Sequence, residues 1–416
     1  MIVQINLDKR EAQCFDIRKL TPRETGRLMG VREPQLDAMQ ASGLRPSALY
    51  KLFGNSIVVD VLAAIYRQVW YNDPTEQRSQ QLELFPQEPW QLYPPRKVRL
   101  ISLCSGYDSQ AMAFDVLRRW AEKRGLPTMD CELVAWAEFD PESKAPLDRQ
   151  PAVVAHNACF ADAADRNLGD MTKIDWQEVI RKYNIKDREI DLLTYSTPCT
   201  DISQAGKRAG IKKDSGTRSA VLWYTEEAIR SLRPRLLLQE NVAALVNQQN
   251  AADFRQWRDT VQRLGYHSSW VVLNARDIGI DPALGPVPQN RDRLFMLSWR
   301  DDIGLPDQFP WPQPQALTRT IADVLDPDVP DTFFLRPESV ISFLTRNEQG
   351  DRCLYRVSDH LPTPDEVRQW VRETENDGKS EVRTPADHHT KRSLQHIAQR
   401  LSPTDEVEKW VENAKE

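Results

Sequence analysis

From Val98 to Trp299 the chain alternates short apolar runs with amphipathic stretches, and this alternation restricts its fold more than any other feature. The runs VRLISLC, ELVAWAEF, IDLLTYS, RLLLQEN, SSWVVLNA and RLFMLSW read as strands. Between them, SQAMAFDVLRRWAEK, SAVLWYTEEAIRSL and DFRQWRDTVQRLG carry apolar residues at helical spacing. Strands and helices that alternate in this way form βαβ units, so the predicted class is α/β with a mostly parallel central sheet. In such sheets ligands bind beyond the carboxyl ends of the strands, and the residues just after each strand carry the chemistry.

The flanks are organised differently. Residues 14–70 read as helix, loop, helix: Thr21 is placed as an N-cap, Pro22 at the first helical position and Glu24 at capping-box spacing. The apolar segment SIVVDVLAAIYRQVW follows the Gly54-Asn55 turn signal. Residues 71–97 are rich in Gln and Pro and read as a linker. The expected organisation is therefore an N-terminal element over 1–70, a linker over 71–97, a ligand-binding domain over 98–300 and a smaller C-terminal region over 301–416. That last region contains one duplication, TPDEVRQWV at 363–371 and PTDEVEKWV at 403–411, which is too few copies for a solenoid.

Composition excludes some classes. No apolar run approaches the ~20 residues that span a bilayer, and MIVQINLDKREAQ lacks a signal-peptide core, so neither a membrane protein nor a secreted one is expected. Six scattered cysteines without a CxxC pair suggest reduced thiols in a cytoplasm. The net charge of −6 argues against a simple nucleic-acid binder, yet it is unevenly spread. Residues 301–416 hold 14 Lys/Arg against 23 Asp/Glu, a net of −9, which leaves the first 300 residues at +3. Asp387, His388, His389 and His396 fit no common metal spacing and read as a solvated helix face.

At the strand ends the residues become specific. LCSGYDSQ places Ser105, Gly106 and Tyr107 in a turn into a helix, where backbone amides can face an anionic or polar ligand. The next strand ends in Glu138, Phe139 and Asp140, an acid placed to accept hydrogen bonds from ribose hydroxyls. NLGDMTKID adds Asp170, a candidate for an adenine amino group. Each alone is as readily an ordinary turn; together they suggest an adenosine-containing ligand. DLLTYSTPCTDISQAG then puts Cys199 after Pro198 on a loop at the ligand edge. A buried structural cysteine is the usual alternative, but a thiol at such an edge can ionise and act as a nucleophile. LLLQENV places Glu240 at the same edge, where burial should raise its pKa and let it donate a proton at neutral pH. In PQNRDRLFML, Gln289, Arg291 and Arg293 alternate along a strand and share one face, offering guanidinium forks for a phosphate or a base carbonyl.

Taken together these segments resemble the C5 DNA cytosine methyltransferases over most of residues 14–335. LCSGYDSQ is similar to the family's first S-adenosyl-L-methionine (AdoMet) loop, AEFD to its ribose-binding acid and GDM to its adenine-contacting Asp. STPCTDISQAG resembles the catalytic Pro-Cys loop, QENV the Glu-Asn-Val motif and QNRDR the Gln-x-Arg-x-Arg motif. Two further motifs are displaced. IRKLTPRETGRLMG resembles the Arg-x-Leu-Thr-x-Arg-Glu segment, and LYKLFGNSIVVDV the Gly-Asn-Ser-Val segment whose Asn55 and Ser56 would approach AdoMet. Both usually lie at the C-terminal end, so the resemblance implies a circularly permuted order. The sequence departs from the pattern at Cys104 (often Phe), Asp108 (often a second Gly), Thr200 (often Gln) and in the insertion IDPALGP.

The resemblance implies a Rossmann-like AdoMet-dependent methyltransferase fold and DNA (cytosine-5-)-methyltransferase activity. It implies a cytosine flipped out of double-stranded DNA, Cys199 adding to C6, Glu240 holding and protonating N3, and Arg293 with Arg291 gripping the base or its phosphate. AdoMet would be held by Asn55, Ser56, Ser105, Gly106, Tyr107, Glu138, Phe139, Asp170 and Pro198. The family's target-recognition region would have to fall within residues 337–416, where the acidic charge is unfavourable for phosphate contact. Gln81, Leu82, Leu84 and Phe85 resemble the short peptide that binds the bacterial sliding clamp, beside the reading of that stretch as an apolar tack. A monomer acting on DNA in the cytoplasm of a prokaryote, or encoded by a phage, is expected. An RNA cytosine-5 methyltransferase and a non-catalytic DNA-binding regulatory homologue stay open.

Overall fold

The computed structural model describes residues 2–5, 15–71, 97–197, 218–281, 283–303 and 309–334. The chain divides into two units, Met1–Thr21 with Pro327–Glu416, and Pro22–Asp326. In the first, β1 (Ile2–Ile5) and β2 (Phe15–Arg18) pair antiparallel, and Arg18 bridges to Phe334. The second unit runs through α1 (Pro22–Leu28), α2 (Glu33–Ala41), α3 (Pro46–Asn55) and α4 (Val59–Trp70). It continues with β3 (Lys97–Leu103), α5 (Ser109–Glu122), β4 (Asp130–Ala137), α6 (Pro151–Cys159), α7 (Trp176–Lys182) and β5 (Leu192–Tyr195). It closes with α8 (Thr225–Leu232), β6 (Leu236–Val242), α9 (Ala251–Arg263), β7 (Tyr266–Asn274) and β8 (Asp292–Arg300).

The helix–loop–helix expected over 14–70 is instead a strand followed by four helices. Proline and glycine punctuate the segment more finely than its apolar pattern suggests. Pro22 opens α1, α2 and α3 each carry a proline in their first turn, and Gly30 and Gly43 turn the chain at φ +73° and +78°.

Six strands form one sheet in the order β4-β3-β5-β6-β8-β7. The pairings β3–β4, β3–β5 and β5–β6 are parallel, whereas β6–β8 and β7–β8 are antiparallel. Only β8 therefore runs against the rest, and the sheet is mostly parallel, as expected. The reversal has a simple cause: no helix separates β7 from β8, and without a crossover two neighbouring strands can only pair antiparallel. The reversal also matters for function. It brings the start of β8 to the edge where the parallel strands end, with Arg293 opposite both Val242 and Leu273.

The displaced N-terminal helices belong to this unit. All twelve residues of α4 are buried, and Tyr66 stacks on Phe114 of α5 with ring centroids 4.5 Å apart. By length and composition Pro46–Trp70 could cross a membrane. It is broken between α3 and α4, and its second half is a core helix. Even the charged groups of α4 are used internally: Arg67 donates to Ile280 O at 2.9 Å, and Asp60 pairs with Arg32 at 2.5 Å. Ile280 opens the IDPALGP insertion, whose Asp281 also meets Arg124, just beyond α5, at 3.5 Å. The stretch after β8 then returns across the helices, where Arg27 binds Asp326 at 2.6 Å and Asp326 N donates to Glu24 at 2.7 Å.

Candidate active site

The carboxyl edge of the sheet gathers most of the residues singled out from the sequence. The loop after β3 turns sharply, with positive φ at every second residue: Cys104 +50°, Gly106 +59° and Asp108 +65°. Alternation of this kind curls the backbone into a concavity; here Ser105 N donates to Ala137 O at 3.2 Å and Asp108 N to Ser105 O at 2.8 Å. A side chain built on Gly106 would meet nothing within 4 Å, so the loop leaves room for a ligand. Ser105 is buried, and its Oγ has no hydrogen-bond partner among the described residues. Tyr107 is placed differently: its ring is buried edge-on to Phe53 at 5.6 Å, so its backbone rather than its ring faces the loop.

The acid at the end of β4 meets this loop directly. Glu138 Oε2 accepts from Gly106 N at 2.7 Å, and burial raises its carboxyl pKa more than that bond lowers it. Asn167, which sequence reasoning did not single out, fixes the Glu138 backbone by accepting from Glu138 N at 3.2 Å and donating to its carbonyl at 3.3 Å. Phe139 is 37% exposed, a flat apolar surface presented to solvent beside the acid. Asp170 closes a local turn, accepting from Thr172 N and Oγ1 at 3.0 and 2.8 Å, with Lys173 at 3.3 Å from its other oxygen.

The displaced Gly-Asn-Ser segment reaches the same place. Ser56 Oγ lies 3.3 Å from Ser109 Oγ, at the first residue of α5, and Asn55 is exposed beside it. The turn is held from β8: Arg291 Nη2 donates to Gly54 O at 2.9 Å and to Ser56 O at 2.7 Å. Arg291 was expected at the base or its phosphate. Its guanidinium acts electrostatically on Glu240 and also binds the N-terminal element, 235 residues away in sequence.

The other half of the edge is an ion pair. Glu240, only 8% exposed on β6, receives Arg293 Nε at 3.1 Å. Burial raises the Glu240 pKa; Arg293 and Arg291 pull it back, yet the net direction stays upward. The neighbouring Asn241 donates to Thr197 O and Oγ1 at 3.2 and 3.3 Å, tying β6 to the end of β5. Trp257 Nε1 donates to Gln239 behind it at 3.1 Å. Pro198 and Cys199 lie outside the described residues, as do Gln81, Leu82, Leu84 and Phe85, the duplicated 363–371 and 403–411 segments and the expected recognition region. Thr197 is the last described residue before the cysteine.

The set suits AdoMet: a concave turn with room beside Gly106, an orphaned buried hydroxyl, a carboxyl group at a strand end and an exposed aromatic ring. Comparison with known proteins agrees. The model of the C-5 cytosine-specific DNA methylase family matches residues 3–70 and 98–406. The chain is 36% identical over 181 residues to the type II methyltransferase M2.ScrFI of Lactococcus lactis subsp. cremoris, which covers 44% of this chain and 45% of that protein. It is 40% identical over 177 residues to the orphan methyltransferase M.SssI of Spiroplasma monobiae, covering 41% and 42%. The chain thus spans less than half the length of these relatives. A solved structure of DNMT2 from Spodoptera frugiperda aligns with a TM-score of 0.42 at 17% identity, covering 72% of this chain and 84% of that one.

Proposed function

The chain belongs to the C-5 cytosine-specific DNA methylase family, and from that premise we propose that it methylates C5 of cytosine in double-stranded DNA, with AdoMet as cofactor. The observation that carries this reading is the buried Glu240–Arg293 pair at the strand edge, on the same edge as the Ser105–Asp108 turn. A carboxyl whose pKa burial raises is suited to donate a proton to a ring nitrogen. A guanidinium beside it can hold a carbonyl oxygen of the same ring.

The residues divide the work. Ser105, Gly106, Glu138 and Phe139, with Asn55 and Ser56 from the displaced segment, hold the cofactor, and Asp170 and Pro198 border it. When bound, AdoMet supplies an electrophilic methyl group that an electron-rich C5 can accept. The target cytosine must leave the stack, because C5 and C6 cannot be reached inside the duplex. Cys199, as thiolate, adds to C6 while Glu240 donates a proton to N3, which makes C5 electron-rich. Loss of the C5 proton after methylation lets Cys199 depart and restores the ring. Arg293 orients Glu240 and the base, whereas Arg291 secures the Gly54–Ser56 turn.

Tritiated methyl transfer from AdoMet to duplex DNA, with tRNA in parallel and bisulfite mapping of the product, tests this reading. Label at defined cytosines in DNA supports it; label confined to tRNA refutes it. The Gln81–Phe85 segment is a second, separable part of the proposal, a contact with the bacterial sliding clamp. Clamp captured equally by wild type and by a Gln81→Ala/Leu84→Ala/Phe85→Ala variant would remove it.

A further inference from the structure

The buried side of the cofactor loop carries a pair of groups that the reaction above does not use. Asp108 has φ +65°, a backbone region that L residues other than Asn and Asp rarely enter. Its side chain supports the conformation in two directions. Oδ1 accepts from Ala111 N at 3.1 Å and caps α5. Oδ2 is buried and faces Nε2 of His156 at 3.5 Å, with both side chains fully shielded from solvent.

His156 is held rigidly. On α6, its ring stacks on Trp136 with centroids 3.5 Å apart and planes inclined by 17°. Phe160 lies 5.1 Å from the same ring. Trp136 is itself anchored, donating from Nε1 to Ala163 O at 2.8 Å. It sits on β4 two residues before Glu138, whose carboxylate receives Gly106 N. The loop is therefore tied at two points to the same strand: Glu138 takes a backbone amide, and Trp136 presents the imidazole that meets Asp108. Neither ring nitrogen of His156 nor Asp108 Oδ2 makes a hydrogen bond among the described residues; the 3.5 Å approach brings together two buried polar atoms that are otherwise unpartnered.

We propose that His156 is a positioning residue for AdoMet, acting through Asp108. It stabilises the left-handed backbone at residue 108 that gives the Ser105–Asp108 turn its concave shape, a conformation that glycine would adopt unaided. The proposal rests on the reading of this loop as the AdoMet site, and it makes a specific statement about coupling. His156 matters only while residue 108 is an aspartate.

The test measures AdoMet affinity, AdoMet KM, kcat and thermal midpoint for the full chain and for H156Q, D108N, D108G and the double variant D108G/H156Q. Leaving a buried polar group without the polar group that faces it corresponds to roughly tenfold. H156Q is therefore expected to raise the AdoMet Kd and KM about tenfold, with kcat at saturating AdoMet nearly unchanged. D108N, which keeps the cap acceptor but replaces the carboxyl oxygen facing His156 with an amide nitrogen, should show the same split. In the D108G background, H156Q should have no further effect on AdoMet. Unchanged AdoMet affinity in H156Q and D108N overturns the proposal. So does an equal H156Q penalty in the D108G background, because His156 would then act by packing alone. If H156Q does not fold, D108N against D108G decides: an AdoMet Kd for D108N no higher than wild type overturns it. Wild-type protein that binds no AdoMet would instead overturn the functional reading beneath it.

Discussion

The two halves of the strand edge are built by different means. Beyond β3 and β4, the half proposed for the cofactor is mainly backbone: a turn with three positive φ values, its Gly106 amide donated to Glu138. Beyond β5, β6 and the start of β8, the half proposed for the base is mainly side chain, a buried Glu240–Arg293 pair beside Asn241, which bonds Thr197. A backbone device tolerates many side-chain changes and fails by degrees. A buried charge pair fails abruptly, because removing one partner strands the other in a low-dielectric site. Substitutions in the base half should therefore lower turnover steeply, and those in the cofactor half should weaken AdoMet binding while sparing the chemical step.

The sharpest way to break this contrast is at Glu240. Glu240→Gln keeps the shape but cannot supply the proton; kcat for methyl transfer should fall about 10³-fold, within the range of general acid catalysis, with AdoMet KM little changed. A modest loss would show that the carboxyl is a structural acceptor only. Arg293→Gln comes next. It should lower kcat and also move the alkaline limb of the rate profile to higher pH. Burial raises the Glu240 pKa and Arg293 lowers it, so loss of the guanidinium lets the proton persist further into alkali. In the wild type, activity that needs this proton is full below the shifted value and declines as pH rises through it. A limb that moves down after Arg293→Gln would contradict the assignment.

The cofactor half should respond more gently. Arg291→Ala removes the bonds to Gly54 and Ser56 carbonyls and should raise AdoMet KM about tenfold at nearly constant kcat. If kcat falls instead while AdoMet KM holds, Arg291 belongs with the base. Smallest of all, Phe139→Ala should raise AdoMet KM by roughly fivefold, since an aromatic contact contributes about 1 kcal/mol, measured by the same steady-state assay.

The same contrast explains what could be read from the sequence. The parallel order of the sheet follows from strand–helix alternation, and its active edge from the residues after each strand. Glu138, Glu240 and Arg293 stand out because an acid or arginine is conspicuous at the end of an apolar run. Contacts between distant segments were not legible. That Arg291 serves the Gly54–Ser56 turn depends on how α3 lies against β8, which no local pattern encodes. His156 was not singled out from the sequence, and only its stacking on Trp136 and its approach to Asp108 give it a role. Asn167 likewise gains meaning from the backbone of Glu138. The four short helices over 22–70 were blurred into two because their turns are set by single prolines and glycines inside one apolar pattern.

The central claim is that both halves act on one cytosine, with Cys199 bonded at C6 while C5 is methylated. Fluorine at C5 cannot leave as a proton does, so duplex DNA carrying 5-fluorocytosine should trap the enzyme after methyl transfer. With AdoMet present, the wild-type chain is predicted to form a denaturation-resistant protein–DNA adduct, and Cys199→Ala to form none. Methylation of ordinary duplex DNA by Cys199→Ala at the wild-type rate, or an adduct that persists in that variant, would contradict the account.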